Sequence, residues 1–135
     1  MNVDELLEEA RAELARVTPA QTRAALESGA VVVDIRPIEQ RSRDGEIPGA
    51  HVIARNVLEW RLDPASEFRD PEVGRADRQV VVFCDAGYQS SLAASTLRRL
   101  GLDATDMIGG FQAWREEGMP TTQAQGRSRS PEKWS

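Results

Sequence analysis

The chain is expected to be an α/β protein, with a mostly parallel central sheet of about four to five strands and helices on both faces. Three observations lead there. The short β-branched runs "AVVVDI" and "QVVVFC" are apolar throughout, which is how strands covered on both faces of a parallel sheet read. Segments of helical character alternate with these runs, as crossover connections require. With 135 residues, 40% hydrophobic and 29% charged, the chain suits one soluble globular domain.

Val3, Leu6, Leu7, Ala10, Leu14 and Val17 recur at helical spacing, so residues 1–17 are expected to form an extra N-terminal amphipathic helix. This start is acidic and lacks a basic n-region and an apolar h-region, so no signal peptide is expected. A second helix begins at Thr18 as N-cap, with Pro19 in the first helical position and Gln21 completing a capping box. It ends near Gly29. "AVVVDI" is the first strand. "RPIEQRSRDGEIPGA" is polar and punctuated, a loop with room for a helical turn. "HVIARN" is a second short strand, "VLEWRLD" a short helix, and "PASEFRDPEVGRADR" an irregular connection. "QVVVFC" is the strongest strand. "SSLAASTLRRLG" is a helix with Leu92, Ser95, Thr96, Leu97 and Leu100 toward the core and Gly101 as its stop. "ATDMIG" is the last strand, and "GFQAWREEGMP" a short helix closed by Gly118 and Pro120.

The net charge of −5 is unevenly spread. Residues 121–135 carry Arg127, Arg129 and Lys133 against Glu132, so the preceding body is at −7. An acidic body disfavours nucleic acid and anionic membrane as main partners. No apolar run reaches the length of a membrane span. The end, "QAQGRSRSPEKWS", has almost no apolar content besides Trp134, and residues 122–135 are expected to be a flexible basic tail. The single cysteine forms no internal disulfide, which fits a reducing cytoplasm. Nothing in the sequence calls for more than a monomer.

That cysteine, Cys84, closes the strongest strand. Ligand sites of open α/β sheets gather at the carboxyl ends of strands. The loop after it, Asp85, Ala86, Gly87, Tyr88 and Gln89, can curl so that successive N–H groups point inward, and Gly87 tolerates a positive φ. The helix starting near Ser90 directs its positive end to the same place. These effects stabilise a thiolate, the nucleophilic form. Spacing alone also allows an inert buried cysteine at a strand end.

"CDAGYQSSLAASTLRRLG" resembles the active-site loop and following helix of single-domain rhodaneses, a sulfurtransferase family. Two more segments are similar to that family. One is "VVVDIRPIEQRSRDGEIPGAHVI", a strand ending in Asp-X-Arg followed by a Gly-x-Ile-Pro-Gly-Ala turn. The other is "DMIGGFQAWREEGMP", with Gly-Gly, an aromatic residue, Ala-Trp and Gly-x-Pro. Together the three cover about 18–121, the expected domain. The resemblance implies a thiosulfate sulfurtransferase-like enzyme without metal or organic cofactor. Cys84 would take sulfane sulfur from a small donor, thiosulfate or a persulfide, and pass it to a thiol, cyanide or a sulfur-carrier protein. The substrate would sit against Asp85, Ala86, Gly87, Tyr88, Gln89 and Ser90. The alternative is a rhodanese-fold binding or regulatory module with little or no turnover.

The family loop commonly places a basic or polar residue where Asp85 stands and an arginine where Gln89 stands. Both departures point away from the thiosulfate dianion and toward a weakly charged or protein-bound persulfide. Arg55, after the strand "HVI", is the candidate replacement cation, because that strand end should share a rim with Cys84. A cysteine phosphatase would need H-C-x5-R, but Phe83 precedes Cys84 and Ser90 stands six residues after it. Glu46 replaces a histidine usual before the Ile-Pro-Gly turn, and the lone His51 reads as a core or surface residue. Asp34 and Arg36 are expected to be a structural pair. Trp60 and Trp114 are expected to pack, Trp60 as a candidate pocket wall.

Overall fold

The computed structural model describes residues 1–124. The elements are α1 (Val3–Arg11), α2 (Pro19–Glu27), β1 (Val31–Asp34), α3 (Ile38–Asp44), β2 (His51–Val52), a 3-10 turn (Arg55–Val57), α4 (Leu58–Leu62), β3 (Val80–Phe83), α5 (Gln89–Arg99), β4 (Ala104–Asp106) and α6 (Gly110–Glu116). The four strands form one parallel sheet in the order β2-β1-β3-β4.

Strand alternation divides the core in two. Val31, Val33, Val80, Val82 and Cys84 face Leu58 and Leu62 of α4 and Ala93 and Leu97 of α5. Val32, Val81 and Phe83 face Phe111 and Trp114 of α6, with Ala25 and Leu26 of α2 at the margin. Every residue of β1 and β3 is buried, which is why both runs are apolar with no polar alternation. The expected capping box is present. The Gln21 N–H donates to Thr18 Oγ1 at 3.1 Å, and the Thr18 N–H donates to Gln21 Oε1 at 2.9 Å.

Four local expectations are corrected. The first helix ends at Arg11 rather than running to residue 17. Val17 instead lies alongside the end of β4: its N–H donates to Asp106 O, and its carbonyl accepts from Ile108 N–H. The "RPIEQRSRDGEIPGA" segment contains a seven-residue helix, α3, beyond the single turn allowed for. The core face of α5 is rotated from the leucine-marked one: Ser90, Ser91, Ala93, Ala94 and Leu97 are buried, whereas Leu100 is exposed. Small residues face the sheet because α5 lies close against it, and the Leu92 side is turned to α1. Finally, Thr122 pairs through its backbone with Glu46 in both directions, at 2.8 and 2.9 Å, so the chain is tied down one residue past the expected boundary at 121. The rest of the expected tail, from 125 on, lies outside the described residues. No helix among the described residues is long and apolar enough to cross a membrane.

Buried ion pairs fix the loops around the sheet. Arg36 and Asp34 form a fully buried two-point pair at 3.0 and 2.8 Å, and Arg36 also donates to Gly45 O at 2.8 Å. Its guanidinium lies over the Phe111 ring, 3.9 Å from the centroid, which gives the otherwise unpaired Nη1 a π face. Burial pushes the Asp34 carboxyl up, and the Arg36 guanidinium pulls it back. Glu46, in the place where the resemblance led us to look for histidine, is buried against Arg41 at 2.6 Å. The end of α3 meets α6 through Asp44, which accepts from Arg43, Gln112 and Arg115 at 2.7 to 3.1 Å.

Two outcomes follow from these pairs. Arg36→Met leaves a buried carboxylate alone and should cost about 3–5 kcal/mol in urea unfolding. Adding Asp34→Asn should recover part of that loss, because no lone charge remains buried. Asp44 is held down at about 2, chiefly by Arg43, with Gln112 and Arg115 assisting. Its folded value lies below the roughly 3.9 of an unfolded aspartate, so its contribution is complete above that value and is lost as pH falls through about 2. Melting temperatures of wild type and Asp44→Asn should differ at pH 6 and converge on acidification toward pH ~2.

Candidate active site

Cys84 follows β3 directly and is 8% exposed, so its thiol meets the surroundings only through the pocket it lines. The sulfur accepts two backbone hydrogen bonds, from Gly87 N–H at 3.2 Å and from Ser90 N–H at 3.4 Å. The inward-curled loop expected from the sequence is therefore present. Gly87 has φ +89°, and a Cβ there would lie 2.8 Å from Gly109 N, so both the backbone angle and the close approach require glycine.

Four of the loop's carbonyls, those of Cys84, Asp85, Gly87 and Tyr88, have donors. Cys84 O accepts from Phe111 N–H at 2.9 Å and Asp85 O from Gln112 N–H at 3.1 Å, both in the first turn of α6. Gly110 permits this approach, since a Cβ there would lie 2.6 Å from both of these oxygens. Gly87 O accepts from Arg11 Nη2 at 2.8 Å and Arg16 Nη2 at 3.0 Å. Tyr88 O accepts from Ser91 N–H at 3.1 Å. Beneath the loop, buried Asp106 accepts from the hydroxyls of Ser90 and Ser91, both at 2.8 Å, and from Arg16 at 2.9 and 3.1 Å.

In front of the sulfur lies an open pocket of about 380 Å³. Asp85, Ala86, Tyr88 and Gln89 line it, and Arg55 stands on its wall together with Arg36. Arg55, after the strand "HVI", thus shares a pocket with Cys84. Trp60 is corrected: it is 51% exposed and does not belong to the pocket wall. Residue 51 is a half-buried histidine of β2, in register with Val33, and is not among the lining residues.

The pocket is nearly charge-balanced. Arg55 holds Glu59 with both oxygens at 3.0 Å, while its Nε is buried without a hydrogen-bond partner among the described residues. Arg36 is matched by Asp34. The Asp85 carboxylate accepts from Gln112 Nε2 at 2.9 Å and lies 3.8 Å from Arg43. Among the described residues no cluster of histidine, cysteine and carboxylates is arranged to hold a metal ion.

Sequence reasoning missed Arg11, Arg16, Ser91, Asp106 and Gln112. The first two come from a segment more than 70 positions before the loop they touch. Only Asp106, a carboxylate in a short strand, carried a local signal that something must pair with it.

Comparison with known proteins agrees with this geometry. The thiosulfate sulfurtransferase GlpE of Pseudomonas fluorescens is 35% identical over 105 residues, which are 76% of this chain and 86% of that protein. An adenylyltransferase and sulfurtransferase, MOCS3-2, of Zea mays is 33% identical over 108 residues, 78% of this chain but 22% of that protein. The chain thus spans about a quarter of such plant relatives. Among solved structures, a Rhodopseudomonas palustris protein of unknown function, described as a possible tyrosine phosphatase, superposes with a TM-score of 0.82 at 36% identity, covering 90% of this chain and 95% of that one. The model of the rhodanese-like domain matches residues 18–117, and the chain belongs to that family.

Proposed function

We propose that the protein is a sulfurtransferase that carries sulfane sulfur on Cys84 as a persulfide. The observation that carries this reading is the pair of N–H groups, Gly87 and Ser90, aimed at a thiol that faces an open pocket. The Cys84 thiolate attacks the outer sulfur of a donor persulfide, R–S–SH. A new S–S bond forms to Cys84, the donor S–S bond breaks, and RS⁻ leaves with the electron pair. With thiosulfate the leaving group is sulfite. An acceptor thiolate or cyanide then attacks the outer sulfur and returns Cys84 to the thiolate, with no net oxidation. The loop N–H groups stabilise negative charge on sulfur in both resting states.

The donor class is a persulfide of low charge rather than the thiosulfate dianion. Each pocket arginine already has a carboxylate, and Asp85 adds a negative charge beside the nucleophile. The phosphatase reading suggested by the Rhodopseudomonas neighbour lacks the cysteine-phosphatase arginine: Ser90 occupies that place, and its hydroxyl is turned to Asp106.

Incubation with a polysulfide, desalting and intact-mass measurement should show the gain of one sulfur atom, removed by a reductant and absent in Cys84→Ser. No gain with any sulfane donor would favour the binding or regulatory module. Glu59→Gln releases Arg55 from its partner and should lower KM for thiosulfate about threefold to tenfold, a discounted effect for a half-exposed charge. That gain should shrink with added salt and vanish in an Arg55→Ala background. An unchanged KM in Glu59→Gln would show that the ion pair does not set donor choice.

A further inference from the structure

Helix α1 and the turn after it precede the stretch matched by the family model, yet they reach the active-site loop. Arg11 makes three contacts there. Its Nη2 donates to Gly87 O at 2.8 Å, its Nε donates to Ser91 Oγ at 3.0 Å, and its guanidinium lies 5.6 Å from the Tyr88 ring centroid. The chain has no cis peptide, so the Tyr88 N–H points opposite to the Gly87 carbonyl. A donor that holds the carbonyl from behind therefore keeps that N–H turned away from α1.

The charges around Cys84 single Arg11 out. Across the pocket, Arg36 has Asp34 and Arg55 has Glu59. On the α6 side, Arg43 has Asp44 and approaches Asp85. Beneath the loop, Arg16 has buried Asp106. Arg11 has only neutral acceptors and an aromatic face among the described residues. It is also half-buried, so solvent screens it incompletely.

We infer that Arg11 is a positioning residue for Cys84: it fixes the Gly87–Tyr88 peptide next to the Gly87 N–H that meets the sulfur, and it supplies behind the loop the positive charge that the loop itself lacks at Gln89. A cation bonded to the Gly87 carbonyl holds the Gly87–Tyr88 peptide in place, and the N–H that meets the sulfur is that of the adjoining Ala86–Gly87 peptide, so the charge stands one peptide behind the sulfur's donor. The role acts on the thiolate before any donor arrives. It rests on the sulfurtransferase reading only for its consequence in turnover.

The test is the rate of Cys84 alkylation by iodoacetamide, a neutral probe, from pH 5 to 11 in wild type, Arg11→Gln and Arg11→Lys, with thermal melts alongside. Arg11→Gln should react about threefold to tenfold more slowly at pH 7, and the gap should close at the alkaline end, where the thiol is ionised in every variant. Arg11→Lys, which keeps the charge, should retain at least half of the wild-type rate. Equal rates for Arg11→Gln and wild type at all pH values would overturn the inference. So would a loss in Arg11→Lys as deep as in Arg11→Gln. If Arg11→Gln does not fold, Arg11→Lys decides alone: a rate below a tenth of wild type in the folded lysine variant refutes the charge role, and a retained rate upholds it. An alkylation gap in a protein that gains no sulfur from any donor would uphold the role of Arg11 and sink the sulfurtransferase reading instead.

Discussion

The loop after Cys84 depends on one constraint: the peptides on either side must be anchored from outside so that the Gly87 and Ser90 N–H groups can face the sulfur. A peptide cannot turn its N–H inward unless its carbonyl goes outward, and a buried carbonyl without a donor costs about as much as a lost hydrogen bond. Here the carbonyls of Cys84 and Asp85 are taken by the first turn of α6, and that of Gly87 by two arginines from the N-terminal segment, so the Ala86–Gly87 peptide, whose N–H meets the sulfur, is held by its neighbours on both sides. Much of the surrounding structure follows. Gly110 is a glycine because α6 must approach the loop to within backbone contact. Phe111 anchors α6 in the core beside Phe83, the residue before Cys84, with ring centroids 6.4 Å apart. The same residue's ring also carries Arg36, so one side chain links the α6 anchor to the pocket wall.

The buried charges are placed at loop starts rather than spread through the core. Asp34 ends β1 and fixes Arg36; Glu46 follows α3 and holds Arg41; Asp106 ends β4 and gathers Ser90, Ser91 and Arg16. An apolar replacement of such a pair is often as stable, because desolvation offsets most of the attraction. What an apolar set would not supply is direction. Asp106 accepts several donors at fixed angles, so the start of α5 is fixed in rotation as well as in position. That rotation decides whether the Ser90 N–H reaches Cys84 at 3.4 Å.

The fold class was legible because β1 and β3 are covered on both faces, a pattern few other arrangements produce. The Thr18–Gln21 cap was legible for a local reason: both of its bonds lie within one helical turn. The face of α5 was misread because leucines mark burial only when a helix has room for them. Against the sheet, Ala93 and Ala94 are what fits, while Leu100 is left outside. The loop 84–90 was found through Cys84 and Gly87, residues whose types answer to local geometry. Arg11 and Arg16 were invisible for the opposite reason. An arginine on an acidic, solvated helix looks like any surface charge, and its target is set by how α1 packs on α5, which no local spacing encodes.

The departures of the loop from its family pattern make sense once its charges are sorted by where they act. A cation in front of the sulfur meets the donor and so selects for anions. A cation behind the Gly87 peptide meets only the protein, and acts alike on a thiolate and on a persulfide anion. Here the front is neutralised pair by pair, by Asp34 and Glu59, and Gln89 adds no charge. Among the described residues, the cation around the loop that has no carboxylate partner stands behind it, on α1. On the roles proposed above, activation of the sulfur and choice of donor fall to different residues. A chain built this way can lose the loop arginine, and with it the advantage of thiosulfate, without giving up a stabilised sulfur anion. The same proposal makes the N-terminal helix part of the site's chemistry, because the guanidinium of Arg11 reaches Gly87 while α1 is packed on α5.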